Sequence, residues 1–369
     1  MELILDARKM LHCLETVEKA LPHRSTIPVI NNIHVNIEYN AVTFSATNLE
    51  MFISAVMEHE GEETGKLLLP SKIIDILRYF PTDQINIKIN WENFRIDITG
   101  GSANFHIFGA SPDDYPVFFE RSEDSDEGFS IDADFLKSTF KSVVFATSTE
   151  ESRPAFNGVL VEFDNSKITF TASDTYRLVI KEVEKDLWNF EQTRCLVPAR
   201  AIREFLKLSA EGNEPLRFIY KSNILSLIFG NIYFATRLLQ EKYPDVSGII
   251  PLQYKTRITI ERKVLEETVS RANLLAEGKN QAINFAVHEA ELEIKVAGQE
   301  GSMDENLPVR KSGEDLQLLV NSRFILDILK VMNDSEVIID FHGEGGPLIF
   351  RQPNDQTYIY LVLPIKKIS

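Results

Sequence analysis

The sequence lacks the features that mark secreted and membrane-spanning proteins. Its 369 residues include 2 cysteines, and Cys13 and Cys195 are far apart in the chain. Isolated cysteines form neither a disulfide framework nor a zinc knuckle, and a reducing compartment suits them. The longest apolar runs, such as 224–229, are strand-sized, and the acidic start at Glu2 is unlike a signal peptide. We therefore expect a cytoplasmic protein with no membrane partner.

Enzyme motifs are also missing. The sequence has no phosphate-binding loop, no dinucleotide fingerprint and no nucleophile elbow. None of the 7 histidines has another histidine four positions away, so the helical zinc motif is absent. We predict no enzymatic activity, no cofactor and no metal. The acidic pairs Asp113–Asp114 and Glu150–Glu151 leave one alternative, a metal-dependent hydrolase, which calorimetry with divalent metals would reveal.

Positive charge is scarce overall, with 39 Lys and Arg against 55 Asp and Glu and a net charge of −16. An acidic protein repels nucleic acid at long range. The predicted helices nevertheless carry a small excess of basic side chains, so the remainder of the chain holds all the net negative charge. This pattern fits helices that face an anionic partner, and it also fits ordinary solvated helix faces. The helices are predicted at 6–20, 71–79, 132–146, 199–210, 261–280 and 321–333.

What the sequence does contain is an internal repeat of ~125 residues, far longer than a solenoid unit. Two separate sequence patterns recur at this spacing. The first lies at 7–11, 132–136 and 261–265, and the second lies at 69–77, 197–205 and 320–328. The repeat predicts three tandem similar domains, which we place at 1–125, 126–248 and 249–369. Candidate linkers at 120–128 and 243–248 fall at these boundaries.

Each third shows the same order of signals: a strand, a helix, several strands, a second helix and further strands. Met10, Leu14 and Val17 have helical spacing in the first third, whereas 33–37 alternates as a strand does. Gly230–Asn231 is a strong hairpin signal in the second third. Two helices with many antiparallel strands in each unit predict an α+β fold with the helices on one face of the sheet.

Taken together, the repeat and five segments resemble the β sliding clamp family of bacterial DNA polymerase III. The segments are 24–30 with Asn32, 47–51, 173–178, 242–245 with 250–251, and 360–365. The resemblance implies that each domain has two helices against two antiparallel sheets. It implies that two chains pair head to tail as a homodimer. The dimer would form a six-domain ring around duplex DNA, and helices would line the hole of the ring. The ring would tether the replicative DNA polymerase, the clamp loader and other partners that carry the clamp-binding motif.

The resemblance also implies a pocket for an apolar partner peptide between the second and third domains. Tyr176 stands there in place of the His of many relatives, and Leu178, Leu361 and Leu363 would equally fit ordinary strand core. The implied pocket residues are Phe156, Ser173, Thr175, Tyr176, Arg177, Leu178, Pro244, Ile249, Asn321, Phe324, Leu361, Val362, Leu363, Pro364 and Ile365.

Two further surfaces follow from the resemblance. For the dimer interface, Leu274 and Leu275 of one chain would face Lys72 and Ile76 of the other, although paired leucines at a helix end are often core. An interaction scaffold without a DNA role stays open as an alternative, because each helix cation could equally lie on a solvated face. The candidate DNA-binding residues are Arg24, Lys72, Arg78, Lys137, Lys141, Arg200, Arg203 and Lys207.

Overall fold

The computed structural model describes residues 1–116, 128–164, 166–185, 193–211, 215–246, 248–278 and 280–366. These residues form six α-helices, two short 3-10 helices and 25 strands. Most of the predicted linker at 120–128 lies outside the described residues, whereas the linker at 243–248 is described except for position 247.

The helices and strands follow one order three times, as the sequence predicted. The first run is β1 (Glu2–Asp6), α1 (Ala7–Glu18), β2 (Asn32–Glu38), β3 (Ala41–Thr47), β4 (Met51–Glu58), β5 (Gly65–Pro70), α2 (Lys72–Arg78), β6 (Gln84–Asn90), β7 (Arg95–Gly100) and β8 (Ala103–Phe108). The second run is β9 (Phe129–Ile131), α3 (Ala133–Val144), β10 (Gly158–Asp164), β11 (Lys167–Ser173), β12 (Arg177–Glu184), β13 (Thr193–Pro198), α4 (Ala199–Phe205), β14 (Leu216–Lys221), β15 (Ile224–Phe229) and β16 (Ile232–Arg237).

The third run adds one short strand, β21, to this order. It consists of β17 (Thr256–Glu261), α5 (Arg262–Leu275), β18 (Ala282–His288), β19 (Glu291–Ala297), β20 (Ser302–Pro308), β21 (Arg310–Gly313), β22 (Leu316–Asn321), α6 (Ser322–Leu329), β23 (Glu336–Phe341), β24 (Leu348–Gln352) and β25 (Asp355–Val362). The α+β class and the threefold order are therefore confirmed. The 3-10 helices Pro28–Asn31 and Pro154–Asn157 occupy equivalent places in the first two runs.

The chain divides into two compact units, Met1–Leu136 with Arg200–Leu238 and Lys137–Ala199 with Leu239–Ser369. The first unit contains an eight-stranded sheet, β5-β2-β3-β4-β16-β15-β14-β9, and the four-stranded sheet β1-β6-β7-β8. The second unit contains a nine-stranded sheet, β13-β10-β11-β12-β25-β24-β23-β17-β21, and the four-stranded sheet β20-β19-β18-β22. Each of the two larger sheets thus joins strands from two consecutive repeats. The described pairings are antiparallel.

Helix α1 shows why the sequence signals produce these elements. The Asp6 carboxylate accepts hydrogen bonds from the Arg8 and Lys9 N–H groups, each at 2.9 Å, and so caps the helix. Met10, Leu14 and the residues that share their face are buried. In the same unit, a side chain at Gly230 of the predicted hairpin turn would lie 2.1 Å from a backbone oxygen, and its φ is 52°.

All six helices are shorter than predicted, and the largest differences are at the C-terminal ends of α4, α5 and α6, where α6 ends at Leu329 although the prediction ran to 333. Helix α5 ends at Leu275, five residues before the predicted end at 280, because Ala276 has the extended ψ of 122°. Helix α4 ends at Phe205 and continues as turns, whereas the prediction ran to 210. The helical spacing marked the apolar face correctly, but it did not mark where backbone hydrogen bonding stops.

Candidate functional site

A tight turn leads into strand β12. The Ser173 hydroxyl donates to the Arg177 carbonyl at 2.7 Å, and the Asp174 carboxylate accepts from the N–H groups of Tyr176 and Arg177 at 3.0 Å. Thr175 between them has a φ of 78°, a left-handed conformation that is uncommon for a β-branched residue. The side-chain hydrogen bonds hold this turn, and they leave Tyr176 exposed while Arg177 is buried.

The first repeat builds the same turn from different residues. The Thr47 hydroxyl donates to the Met51 carbonyl at 2.8 Å. The Asn48 side-chain oxygen accepts from the N–H groups of Glu50 at 3.0 Å and Met51 at 2.8 Å. Leu49 takes the left-handed position with a φ of 76°. The hydrogen bonds of this turn are therefore common to both repeats, whereas the side chains that it presents differ.

The side chain of Arg177 is fixed inside the second unit. Its guanidinium donates to Asp174 at 2.8 Å, to Asp327 at 2.7 Å and to the Phe145 carbonyl at 2.7 Å, and the Phe324 ring centroid lies 4.4 Å from its Cζ atom. Burial disfavours its charge, but Tyr360 and the two carboxylates outweigh that effect and raise the pKa of Arg177. With 9% of the side chain exposed, Arg177 positions the turn against α6 and presents little surface to a ligand.

An apolar floor lies beside this turn. In the register of the nine-stranded sheet, Leu178 is opposite Leu361, and Leu361 is opposite Ile349. Directly opposed residues share one face of a sheet, so the three side chains form a continuous patch. The segment between β16 and β17 is called the connector, and its residues Val246 and Ile250 pack against this patch. All three floor residues are buried.

A second apolar cluster adjoins the floor. Tyr243 packs with Leu160 and Leu196, and the centroids of the Phe156 and Tyr243 rings are 5.5 Å apart. Val246 contacts this cluster as well as the floor. The apolar surface therefore extends without a break from the floor to Phe156.

Three exposed apolar side chains, Tyr176, Ile249 and Leu363, lie around the floor and form its rim. The exposed fractions are 56% for Tyr176, 50% for Ile249 and 42% for Leu363. The Leu363 N–H donates to the Tyr176 carbonyl at 2.9 Å, so these two residues are joined through their backbones. The Ile365 N–H then donates to the Leu319 carbonyl at 2.8 Å and holds the segment after β25 in place. The exposed rim therefore adjoins a buried apolar patch, an arrangement that suits the apolar anchors of a peptide.

The structure brings the predicted pocket residues into the second unit, but with different exposure. Leu178, Leu361 and Val362 are buried, whereas Leu363 is exposed. The alternative interpretation as ordinary strand core therefore holds for Leu178 and Leu361 but not for Leu363. Asn321 caps α6 by accepting the Arg323 N–H at 3.0 Å. Ser173 is buried and Pro244 is exposed. The half-buried members are Phe156, Thr175, Phe324, Pro364 and Ile365.

Sequence reasoning missed the residues that hold the pocket in shape. Asp174 and Asp327 fix Arg177, and Val246 and Ile250 cover the floor. Arg153 donates to the Thr175 hydroxyl at 2.7 Å. Val246 and Ile250 are apolar, but the same connector also contains Ile249 and Leu252, so the sequence did not show which of its apolar residues cover the floor. Nothing local marks Asp327, because its partner is 150 residues away in the chain.

Among the candidate DNA-binding cations, Lys72, Arg78 and Lys207 lie in ion pairs, and Lys137 and Arg203 also have interaction partners. Lys72 lies 2.9 Å from Asp75, and Lys207 lies 3.0 Å from Glu204. Arg78 lies within reach of three carboxylates, the nearest being Glu15 at 2.9 Å. Of the remaining candidates, Lys137 is half-buried, and the exposed ones are Arg24, Lys141, Arg200 and Arg203.

The candidate interface residues lie at the ends of helices. Leu274 near the end of α5 is 81% exposed, so it is not a core residue, whereas Leu275 is half-buried. In the other unit, Lys72 is exposed and Ile76 is half-buried on α2.

The described residues contain neither a metal-binding cluster nor a membrane-spanning helix. No group of three or more His, Cys, Asp or Glu side chains within them is placed to hold a metal ion. Among the same residues, no helix combines the length and the apolar character needed to cross a bilayer.

The fold and this site define a class, the DNA sliding clamps. The chain superimposes with a TM-score of 0.93 on the crystal structure of the DNA polymerase sliding clamp from Bacillus subtilis, at 26% identity, with 100% of this chain and 99% of that chain covered. Two curated relatives described as beta sliding clamps are each 28% identical. The one from Staphylococcus epidermidis aligns over 99% of both chains, and the one from Bacillus subtilis over 99% of this chain and 100% of its own.

Three family models match consecutive parts of the sequence. The N-terminal domain of the DNA polymerase III beta subunit matches residues 1–119, the central domain matches 130–245, and the C-terminal domain matches 247–366. The chain therefore belongs to the DNA polymerase III beta subunit family and is a sliding clamp.

Proposed function

We propose that two copies of this chain close head to tail into a ring of six domains that encircles duplex DNA and tethers the replicative DNA polymerase. The observation that carries this proposal is the exposed apolar rim of Tyr176, Ile249 and Leu363 beside the buried floor, on a threefold repeated fold. Sliding clamps are processivity factors and not catalysts. We place the domain boundaries at 1–125, 126–248 and 249–369, and we expect the ring to act in the cytoplasm.

The two four-stranded sheets offer unlike edge strands for ring closure. Strand β8 is an edge strand, and Phe105 and Phe108 on it are 39% and 66% exposed. Strand β20 is an edge strand of the other small sheet, and a Cβ atom added at Gly301, just before this strand, would lie 3.8 Å from the Leu275 Cδ2 atom. Unpaired edges pair readily with another chain. Because the two surfaces differ, joining them is head-to-tail and closes at two copies when the rotation permits.

The DNA-binding candidates suit contact without sequence reading. Arg24, Lys141, Arg200 and Arg203 are exposed, and cations of this kind attract phosphates without distinguishing bases. Lys72, Arg78 and Lys207 are already paired with carboxylates, which weakens their attraction for DNA. A ring that holds DNA topologically does not need tight contacts, and weak contacts permit sliding.

The pocket would bind the clamp-binding motif of the polymerase, the clamp loader and other replication and repair proteins. An extended peptide could place Leu or Phe anchors over the floor, against the side chains of Tyr176, Ile249 and Leu363. We assign the pocket to the residues named from the sequence, with Arg177 as a positioning residue.

Peptide binding tests this proposal directly. A labelled peptide with adjacent Leu and Phe anchors is expected to bind, and Leu363→Ala is expected to weaken binding by about tenfold, since it removes roughly two buried methylene equivalents that each contribute about 0.8 kcal/mol. Ile4→Ala, at an exposed aliphatic position of β1, is the matched control and should change nothing. A folded protein that fails to bind any such peptide would refute the pocket.

A further inference from the structure

The nine-stranded sheet carries a group of charged side chains on the same face as the apolar floor. In its register Arg257 is opposite Asp340, Asp340 is opposite Ile349, and Ile349 is opposite Leu361. Opposed residues project to one face, so this row continues from the floor to Arg257. The pocket proposed above uses only the apolar end of the row.

The charged end of the row has more positive than negative charge. Asp340 is 3% exposed and accepts hydrogen bonds from Arg257 at 2.5 and 2.8 Å and from Arg351 at 3.3 Å. One carboxylate between two guanidiniums leaves a net charge of +1 in this triad. The side chains of Arg257 and Arg351 are 36% and 23% exposed, so the uncompensated charge reaches the surface. The hydrogen bond to Asp340 also raises the pKa of Arg257, which keeps it charged.

The connector adds an aromatic surface at the same place. The Tyr254 ring centroid lies 4.1 Å from the Arg257 Cζ atom, and the ring holds the guanidinium flat. Tyr254 is 41% exposed, and Leu252 is fully exposed. Ile250, on the same connector, packs against the floor. The connector thus runs from the pocket to the arginines and carries exposed apolar side chains along the way, which indicates a surface that a partner covers.

The spacing fits one extended peptide. Neighbouring strands are ~4.8 Å apart, so Arg351 on β24 is one strand from Leu361 on β25, and Arg257 on β17 is three strands away, at about 14 Å. An extended peptide advances ~3.4 Å per residue. Counted from the exposed rim residue Leu363, two residues beyond Leu361, the arginines are likewise about 14–16 Å away, so a side chain about four residues from an anchor beside Leu363 reaches them.

We propose that Arg257, Arg351 and Tyr254 form an acid-binding subsite, which receives a Glu or Asp side chain that flanks the apolar anchor of a partner peptide. This inference rests on the proposed pocket and names the chemistry of its partner more closely. Planar guanidinium groups bind carboxylates in a fork geometry, and Arg351 has donors left over after its bond to Asp340. In a chain of net charge −16, such a local positive site would select acidic motifs that the remainder of the surface repels.

Matched peptides test the subsite separately from the pocket. Fluorescently labelled peptides carry the same Leu–Phe anchor pair, with either Glu or Gln two, three or four positions to each side, and anisotropy gives their affinities. We expect the best Glu peptide to bind about tenfold more tightly than its Gln counterpart at low salt, with the difference shrinking as salt rises. Arg351→Gln should remove the difference and leave the affinity of the Gln peptide unchanged.

The control variant is Arg310→Gln, which removes one exposed arginine from the same sheet, where it is paired with Glu336 at 2.7 Å. It should keep the preference for Glu. Equal affinities of the Glu and Gln peptides for the unchanged protein would overturn the subsite and leave the pocket standing. An equal loss of preference in Arg310→Gln would also overturn it, because overall charge would then account for the preference. If neither peptide binds at all, the pocket fails together with the subsite.

Discussion

Replacing Arg177 by alanine is expected to loosen the pairing of β12 with β25 at the pocket. The guanidinium links the turn before β12 to α6, through Asp174 at 2.8 Å, Asp327 at 2.7 Å and the Phe145 carbonyl at 2.7 Å. Its loss leaves the two carboxylates and the carbonyl without this donor. The Leu363 N–H bond to the Tyr176 carbonyl, which joins the turn to the pocket rim, would then lose its support.

The free-energy cost of Arg177→Ala follows from the burial of the ion pairs that Arg177 makes. Breaking a buried ion pair by removing one partner costs about 3–5 kcal/mol. Asp327 is 36% exposed and can regain water, and Asp174 keeps two backbone N–H donors, so the lower end of that range applies. We therefore expect the free energy of local opening to fall by about 3 kcal/mol. Arg177→Lys should lose roughly half as much, because it keeps the charge but not the fork geometry.

Hydrogen exchange measures this local free energy without requiring two-state unfolding of the whole chain. The amides of β12 and β25 should exchange faster in Arg177→Ala, by a factor of about 150 for 3 kcal/mol. The control is Arg194→Ala on β13 of the same sheet, an exposed arginine 3.1 Å from Glu162, whose loss should cost less than about 1 kcal/mol. Equal effects of the two alanine variants would refute the role given to Arg177.

Three further predictions concern the ring, the DNA contacts and the thiols. Leu274→Asp should give monomers in sedimentation experiments, because it charges a leucine that is 81% exposed and assigned to the interface; an unchanged dimer would exclude that assignment. Arg24→Glu combined with Arg200→Glu should shorten retention on circular DNA at low salt, and unchanged retention would favour a scaffold without a DNA role. Burial raises the pKa of the Cys13 and Cys195 thiols to about 12. Since unfolded thiols titrate near ~8.5, stability should be complete below that pH and fall as the pH rises toward about 12, by at most ~1.4 kcal/mol per thiol per pH unit. Urea unfolding midpoints between about pH 8.5 and 10, below the range in which unfolded tyrosines titrate, check the slope, and replacing both cysteines by alanine should flatten it there.

Much of the local structure was predictable because short-range physics decides it. The helical spacing of Met10, Leu14 and Val17 predicted α1, and Gly230–Asn231 predicted the hairpin turn between β15 and β16. The segments 47–51 and 173–178 were singled out from the sequence, and the structure shows that their turns share the same hydrogen bonds. Each of these signals lies within a few residues of the feature that it produces.

The interaction partners of charged residues were less predictable from the sequence. The resemblance assigned Arg177 to the pocket, but the structure commits its guanidinium to two carboxylates and a carbonyl. Asp327, 150 residues away, could be matched to it only after β12, β25 and α6 were packed together. The pairing of Lys72 with Asp75, in contrast, follows from their spacing of three residues on a helix.

By itself the sequence determined the threefold repeat, the order of helices and strands, and the parts of the chain that supply the candidate pocket. Only the tertiary structure decided which apolar side chains are floor and which are rim. Leu361 and Leu363 are two residues apart, yet Leu361 is 2% exposed and Leu363 is 42% exposed. The difference arises because Val246 and Ile250 cover Leu361, whereas β25 ends at Val362 and Leu363 lies beyond that cover. Burial depends on what packs above a residue, and the local sequence does not contain that information.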